Sequence, residues 1–177
     1  MAITRLGPNN STNISGINLT SQVTGTLPTA NGGTGATSFA AGKVLQVIQT
    51  STATGVSSTN QTLVDTGLTA TITPSSTSSK VFIIVNHGDN DKNLGDCNQR
   101  IHLFRGTTFL LEFARNLGNT GDSTEQRIES GCNFLDSPNT TSATTYKTQM
   151  SLNGGSGTVS VQASGCTSTM TVMEIAG

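Results

Sequence analysis

Tyr146, Thr148, Met150 and Leu152 fall on one face of an extended chain, and Lys147, Gln149 and Ser151 fall on the other. Alternation with period two is the geometry of a strand with one face in a core and the other in water. A helix of the same residues would scatter its apolar groups around the circumference, so this run constrains the fold more than any other. Asn153-Gly154-Gly155-Ser156-Gly157 follows as a turn, because Asn and Gly tolerate positive φ. Val159 and Val161 then alternate with Ser160 and Gln162, and Thr169–Ile175 reads as a last strand.

The pattern repeats upstream. Lys43–Thr50 reads as a strand, as do Gln61–Asp65 and Leu68–Thr73, split by Thr66-Gly67 and stopped by Pro74. Val81–Val85 is apolar at every position, which predicts a central strand covered on both faces. Ile101–Arg105 and Thr107–Phe113 meet at Gly106 as a hairpin or bulged pair. About eight to ten short strands cut by Gly, Ser and Asn predict an all-β fold, an antiparallel β-sandwich or jelly roll. The few aromatics, Phe82, Phe104, Phe109, Phe113, Phe134 and Tyr146, are expected to dominate its core.

The front of the chain is different. Residues 1–26 carry isolated aliphatics (Ile3, Leu6, Ile14, Ile17, Leu19 and Val23) among Ser, Thr, Asn and Gly, with no helical period. Such a segment cannot bury enough apolar surface alone to offset its ordering entropy. It is expected to be an extended arm that orders on a partner. Residues 27–42, rich in Gly and Thr, read as a connector, and residues 43–177 as the head domain. Charge follows the same division: from Met1 to Ser79 only Arg5, Lys43 and Asp65 are charged. The front is thus a neutral polymer suited to lying against other protein.

Charged residues make up 11% of the 177-residue chain, against roughly 25% in ordinary soluble proteins. With a net charge of −1 and no basic stripe, nothing supplies the phosphate neutralisation that nucleic-acid binding needs. No run approaches the roughly 20 apolar residues of a membrane span, so no membrane insertion is expected, and the first residues do not read as a signal peptide. Cys97, Cys132 and Cys166 are odd in number and far apart, which favours buried free thiols over a disulfide framework.

No enzyme motif is found, and no cofactor or metal is expected. Gly32, Gly33 and Gly35 do not lead into a helix, which phosphate cradling would require. His87, Cys97 and His102 match no zinc spacing. Asp89–Asp96 resembles the opening of a calcium loop, but Leu94 stands where that loop needs glycine and Arg100 where it needs a closing Glu. The segment therefore reads as a polar loop between strands. No pair among Glu112, Glu125, Glu129 and Asp136 is brought together by spacing.

Leu27-Pro28-Thr29-Ala30-Asn31-Gly32-Gly33-Thr34-Gly35 resembles the connector of tailed-bacteriophage fibres and related virion proteins. Val64–Leu68, Thr71–Pro74, Ser78-Ser79-Lys80, Leu103–Gly106, Leu135–Pro138, Thr144–Tyr146 and Met173–Ala176 are similar to the tip domain of fibres from phages of aquatic bacteria. The resemblance spans nearly everything after residue 27 and brings no catalytic residue. It implies a virion structural protein made in the host bacterial cytoplasm, a homotrimer bound to other virion proteins of capsid, neck or tail. The short arm implies a short head, neck or tail fibre; the alternative is a capsid cement or decoration protein. The aliphatics of residues 1–26 would dock on the virion. Polar loops 87–96, 115–125, 137–143 and 153–157 would contact a host cell-surface glycan or protein. Within and beside them, His87, Asp89, Asp91, Lys92, Arg115, Asn119, Asp122, Asn139 and Asn153 are the candidate contacts. Val81–Val85 and Leu110–Glu112 offer more apolar surface than one sandwich core needs, which agrees with self-association.

Overall fold

The computed structural model describes residues 44–119 and 126–177. The arm, its docking aliphatics Ile3, Leu6, Ile14, Ile17, Leu19 and Val23, the connector and Asp122 lie outside the described residues. Ten strands form among the described residues: β1 (Val44–Thr52), β2 (Val56–Ser58), β3 (Val64–Ile72), β4 (Lys80–Lys92), β5 (Asn98–Arg105), β6 (Thr108–Leu117), β7 (Gln126–Asp136), β8 (Thr144–Gly154), β9 (Val159–Val161) and β10 (Ser168–Ile175).

Four antiparallel pairs are nested in sequence: β1 with β10, β3 with β8, β4 with β7 and β5 with β6. This is one long paired ribbon rolled into two sheets, the jelly-roll connection. Pairing of β10 with β4 closes one sheet, in the order β1-β10-β4-β7 through its main strands, with β9 and β2 beside the far part of β4. Pairing of β8 with β5 closes the other, in the order β3-β8-β5-β6. The sandwich expected from the alternation is the fold observed.

Inward residues alternate as the sequence pattern demands. Ser168, Met170, Val172 and Glu174 of β10 point into the molecule, as do Tyr146, Thr148 and Met150 of β8. The main core holds Leu68, Ala70, Ile72, Val81, Ile83, Val85, Leu103, Tyr146, Met170 and Val172. Each Val, Leu, Ile or Met among them contributes about 1.5–3 kcal/mol by leaving water. Two polar groups at the lower end, where β1 begins and β10 ends, are satisfied in place. Glu174 accepts from the Ser75 N–H at 2.7 Å, the Ser75 hydroxyl at 2.6 Å and Gln46 Nε2 at 2.6 Å. Asp136 accepts from Arg105 Nη1 at 2.7 Å and from the Tyr146 hydroxyl at 2.7 Å, which ties β7 to β5 and β8 across the two sheets.

Several expectations need correction. The core is mainly aliphatic: Tyr146 is fully buried, Phe82, Phe104, Phe113 and Phe134 only partly, and Phe109 stands exposed on the β5–β6 hairpin. Val81–Val85 is central by pairing but not covered on both faces, since Ile84 is exposed. The two segments split at Thr66-Gly67 are one strand, β3, with an irregular register between Asp65 and Thr69 where Gly67 takes φ +80°. Residues 89–92 are strand rather than loop, because β7 keeps pairing with β4 out to Lys92 opposite Gln126. Strands β2 and β7 are not among those the sequence pattern predicts. Cys97 is buried and Cys132 half-buried, as free thiols, whereas Cys166 is exposed.

Candidate functional site

Strand direction sorts the loops onto two ends. Val44 pairs with Ile175, and Ile175 with Lys80, so the described chain both begins and finishes at the lower end. The 13 residues of β4 run from there to Lys92 at the upper end, a span of about 40 Å at ~3.3 Å per residue. The β4–β5, β6–β7 and β8–β9 connections gather at the upper end. The β7–β8 connection, residues 137–143, lies at the lower one with exposed Asn139 (φ 52°).

The upper rim is built from asparagines. Asn153 Nδ2 donates to Asn98 Oδ1 at 3.0 Å and also to Asn116 Oδ1. Asn93 Oδ1 accepts from the Thr158 N–H at 2.7 Å, while the Asn93 N–H donates to the Thr158 carbonyl at 3.2 Å. Gly155 is required between them, since its φ is +75° and a Cβ would lie 1.8 Å from the Asp96 carbonyl oxygen. Asn119 is exposed in the turn after β6, its N–H donating to the Asn116 carbonyl. Arg115 is exposed with Nε 3.7 Å from Glu112 Oε1. These side chains offer fixed amide donors and acceptors around a shallow rim.

Below the rim, on the outer face of the β1 sheet, Asp89, Arg127, Ile128, Glu129 and Cys166 line a groove of about 300 Å³. Asp89 sits at an irregular step between His87 and Asn90, with φ 52°. Its carboxylate is buried and accepts from Arg127 Nη1 at 3.2 Å, and Arg127 also donates to Ser164 Oγ. Asp91, on the same strand, is half-buried.

Two candidates belong to the interior. Lys92 is buried, its stem packed on Gly118 and its Nζ donating to the Gly95 carbonyl at 3.2 Å. His87 is fully buried between the sheets. Its Nδ1–H donates to the Gln162 amide oxygen at 3.2 Å, and that oxygen also accepts from Ser168 Oγ at 3.0 Å. The Gln162 nitrogen donates to the Thr54 and Val161 carbonyls. His87 Nε2 then accepts from Thr148 Oγ1 at 2.9 Å, which lies 2.6 Å from Thr66 Oγ1. Every hydrogen in this chain has a place only while the imidazole is neutral. Burial holds its pKa down at about 4. His87 and Lys92 are thus buried residues whose side chains support the fold.

Gln162, Ser168, Thr148 and Arg127 carry no sequence signal, because distant strands bring them to His87 and Asp89. Among the described residues, no group of three or more His, Cys, Asp or Glu gathers to hold a metal, and no helix is long and apolar enough to cross a membrane.

No protein family and no curated protein matches this sequence. Among solved structures, the chain is similar to that of the infectious bursal disease virus Gx strain, at 16% identity over 76% of this chain and 33% of that one, with a TM-score of 0.45. It is also similar to the VP2 subviral particle of infectious bursal disease virus, at 14% identity over 76% of this chain and 38% of that one, with a TM-score of 0.41. The chain spans about a third of the length of the first and 38% of the second.

Proposed function

We propose that this chain is a virion structural protein of a tailed bacteriophage, a short head, neck or tail fibre or spike. Its neutral arm, through Ile3, Leu6, Ile14, Ile17, Leu19 and Val23, docks on capsid, neck or tail. Its head domain forms a homotrimer and meets the host surface. The observation that carries this reading is the polarity of the jelly roll. The described chain begins at the lower end, and the asparagine rim lies at the other, about 40 Å away by strand length. A protein held at its front thereby presents the rim outward.

The contact surface is the upper end: Arg115, Asn119, Asn153 and the groove of Asp89 and Arg127, with Asp91 beside it. A shallow rim of amides and paired charges suits a glycan or a polar protein surface. Three copies would raise a weak single-site affinity through avidity. Asn139, a host-contact candidate by sequence, lies at the lower end, away from this surface. The arrangement is one of binding, with no turnover assigned to it.

Removal of residues 1–42 tests the docking role. Particles assembled with the truncated chain should lack it, adsorb poorly to host cells and keep wild-type shell stability. The cement reading predicts the reverse, a less stable shell with unchanged adsorption.

A further inference from the structure

The two outer faces of the sandwich differ in kind. On the β3 sheet, Lys147 Nζ lies 2.8 Å from Asp65 Oδ1, His102 Nε2 3.5 Å from Glu112 Oε1, and Arg100 Nε donates to Ser151 Oγ at 2.8 Å. That is a surface made for water. On the lower half of the β1 sheet, register places three outward rows across β1, β10, β4 and β7. They are Val47-Met173-Phe82-Leu135, Gln49-Thr171-Ile84-Asn133 and Ser51-Thr169-Asn86-Gly131. None of these residues is charged; the next row down, Val44-Ile175-Lys80, brings one charge to the lower edge of the face, the exposed Lys80. The face also holds five of the seven exposed large apolar side chains among the described residues: Val44, Leu45, Val47, Ile84 and Leu135, each 40–58% exposed. Of the other two, Phe109 lies on the opposite sheet and Leu94 in the upper loops.

We infer that copies of this chain associate with one another through this face. A partner charged opposite these three rows would lose solvation there and gain no counter-charge, since Lys80 stands only at the lower edge. The required complement is a surface equally neutral and apolar, which the same face of a second copy supplies, whereas the charge-paired β3-sheet face does not. Size agrees with a reversible contact. Four strands at about 4.8 Å and seven residues at about 3.4 Å give a face of roughly 19 by 24 Å. That is about 450 Å² in plan, below the ~800 Å² per partner of a standard stable interface. Charge returns along β7 only at Glu129 and Arg127, beside the groove, so the joined lower halves would leave the upper rims free. The trimer proposed above fixes only the number of copies; the location of the contact stands on the face itself.

Sedimentation velocity of the full chain from about 1 µM to about 100 µM decides the matter. The wild type should associate within that range. Val47→Lys with Leu135→Lys, both on outer strands and already exposed, should weaken association at least tenfold while the unfolding midpoint stays at the wild-type value. Val47→Thr with Leu135→Gln, a milder pair, should weaken it in the same direction if the lysines disturb folding. Phe109→Lys, on the opposite sheet, should leave it unchanged. A wild type that stays monomeric throughout overturns both this inference and the trimer, and leaves the face to a different virion chain. A wild type that associates with the same constant in both paired variants overturns the inference alone and leaves the trimer standing.

Discussion

His87 shows how one residue couples the interior to solution conditions. The unfolded chain takes up a proton on this imidazole near pH 6.5, whereas burial delays uptake in the folded protein until about pH 4. Between those values the unfolded state binds more protons, so stability rises with pH. Its contribution is complete above about 6.5 and is lost as pH falls towards 4, amounting to about 3 kcal/mol at 1.36 kcal/mol per pKa unit. Denaturant titrations across that window should show the loss, and His87→Gln should flatten it. Glu174 acts in a lower window. Burial pushes its carboxyl up, but hydrogen bonds, led by those from Ser75 and Gln46, outweigh that and hold it at about 2. Its share of stability is present above about 4.5 and is lost as pH falls to about 2. The sequence displayed His87 beside Asp89 and Asp91 and so suggested a polar loop. Only Thr148 of β8, Gln162 just after β9 and Ser168 of β10 reveal an interior residue.

At the scale of elements, β8 and β10 were legible because their inward and outward residues alternate without interruption. Strand β7 was not, although Ile128, Cys132 and Phe134 keep the same period. Arg127, Glu129 and Gly131 interrupt its apolar content. Gly131 is there for a reason of fit, since a Cβ would lie 2.7 Å from the Val85 carbonyl oxygen on β4. That obstacle is backbone and cannot rotate away. Gly131→Ala should therefore separate β7 from β4 and cost about 1–3 kcal/mol, the usual range for overpacking, measurable as a lower unfolding midpoint with amide exchange increased first along β7. A midpoint equal to the wild type would show that the β4–β7 ladder absorbs a methyl group freely. The apolar Val81–Val85 run was read as doubly covered because a sequence shows both faces of a strand but not what lies across from each. Phe82 and Ile84 face outward on the sheet through which we infer that copies of the chain associate.

At the scale of the whole molecule, division of labour follows from topology. Nested pairing sends three connections to the upper end and leaves Val44 and Ile175 at the lower end. The lower β1-sheet face is uncharged apart from Lys80 at its edge, the upper end is polar, and the β3-sheet face carries the Lys147–Asp65 ion pair. Sandwich class and the neutral front were readable from alternation and charge. The end to which each loop belongs was not, because it depends on strand direction: residues 137–143 fall away from the three upper loops for that reason alone. The most direct measurement of the account is electron-microscopic imaging of virions carrying a dense label either after Gly177 or after Ser156. The account predicts that both labels appear at discrete sites at vertices, neck or tail, with the Ser156 label about 40 Å farther from the particle than the Gly177 label. Label spread over the whole shell, or a Gly177 label lying outermost, would contradict it.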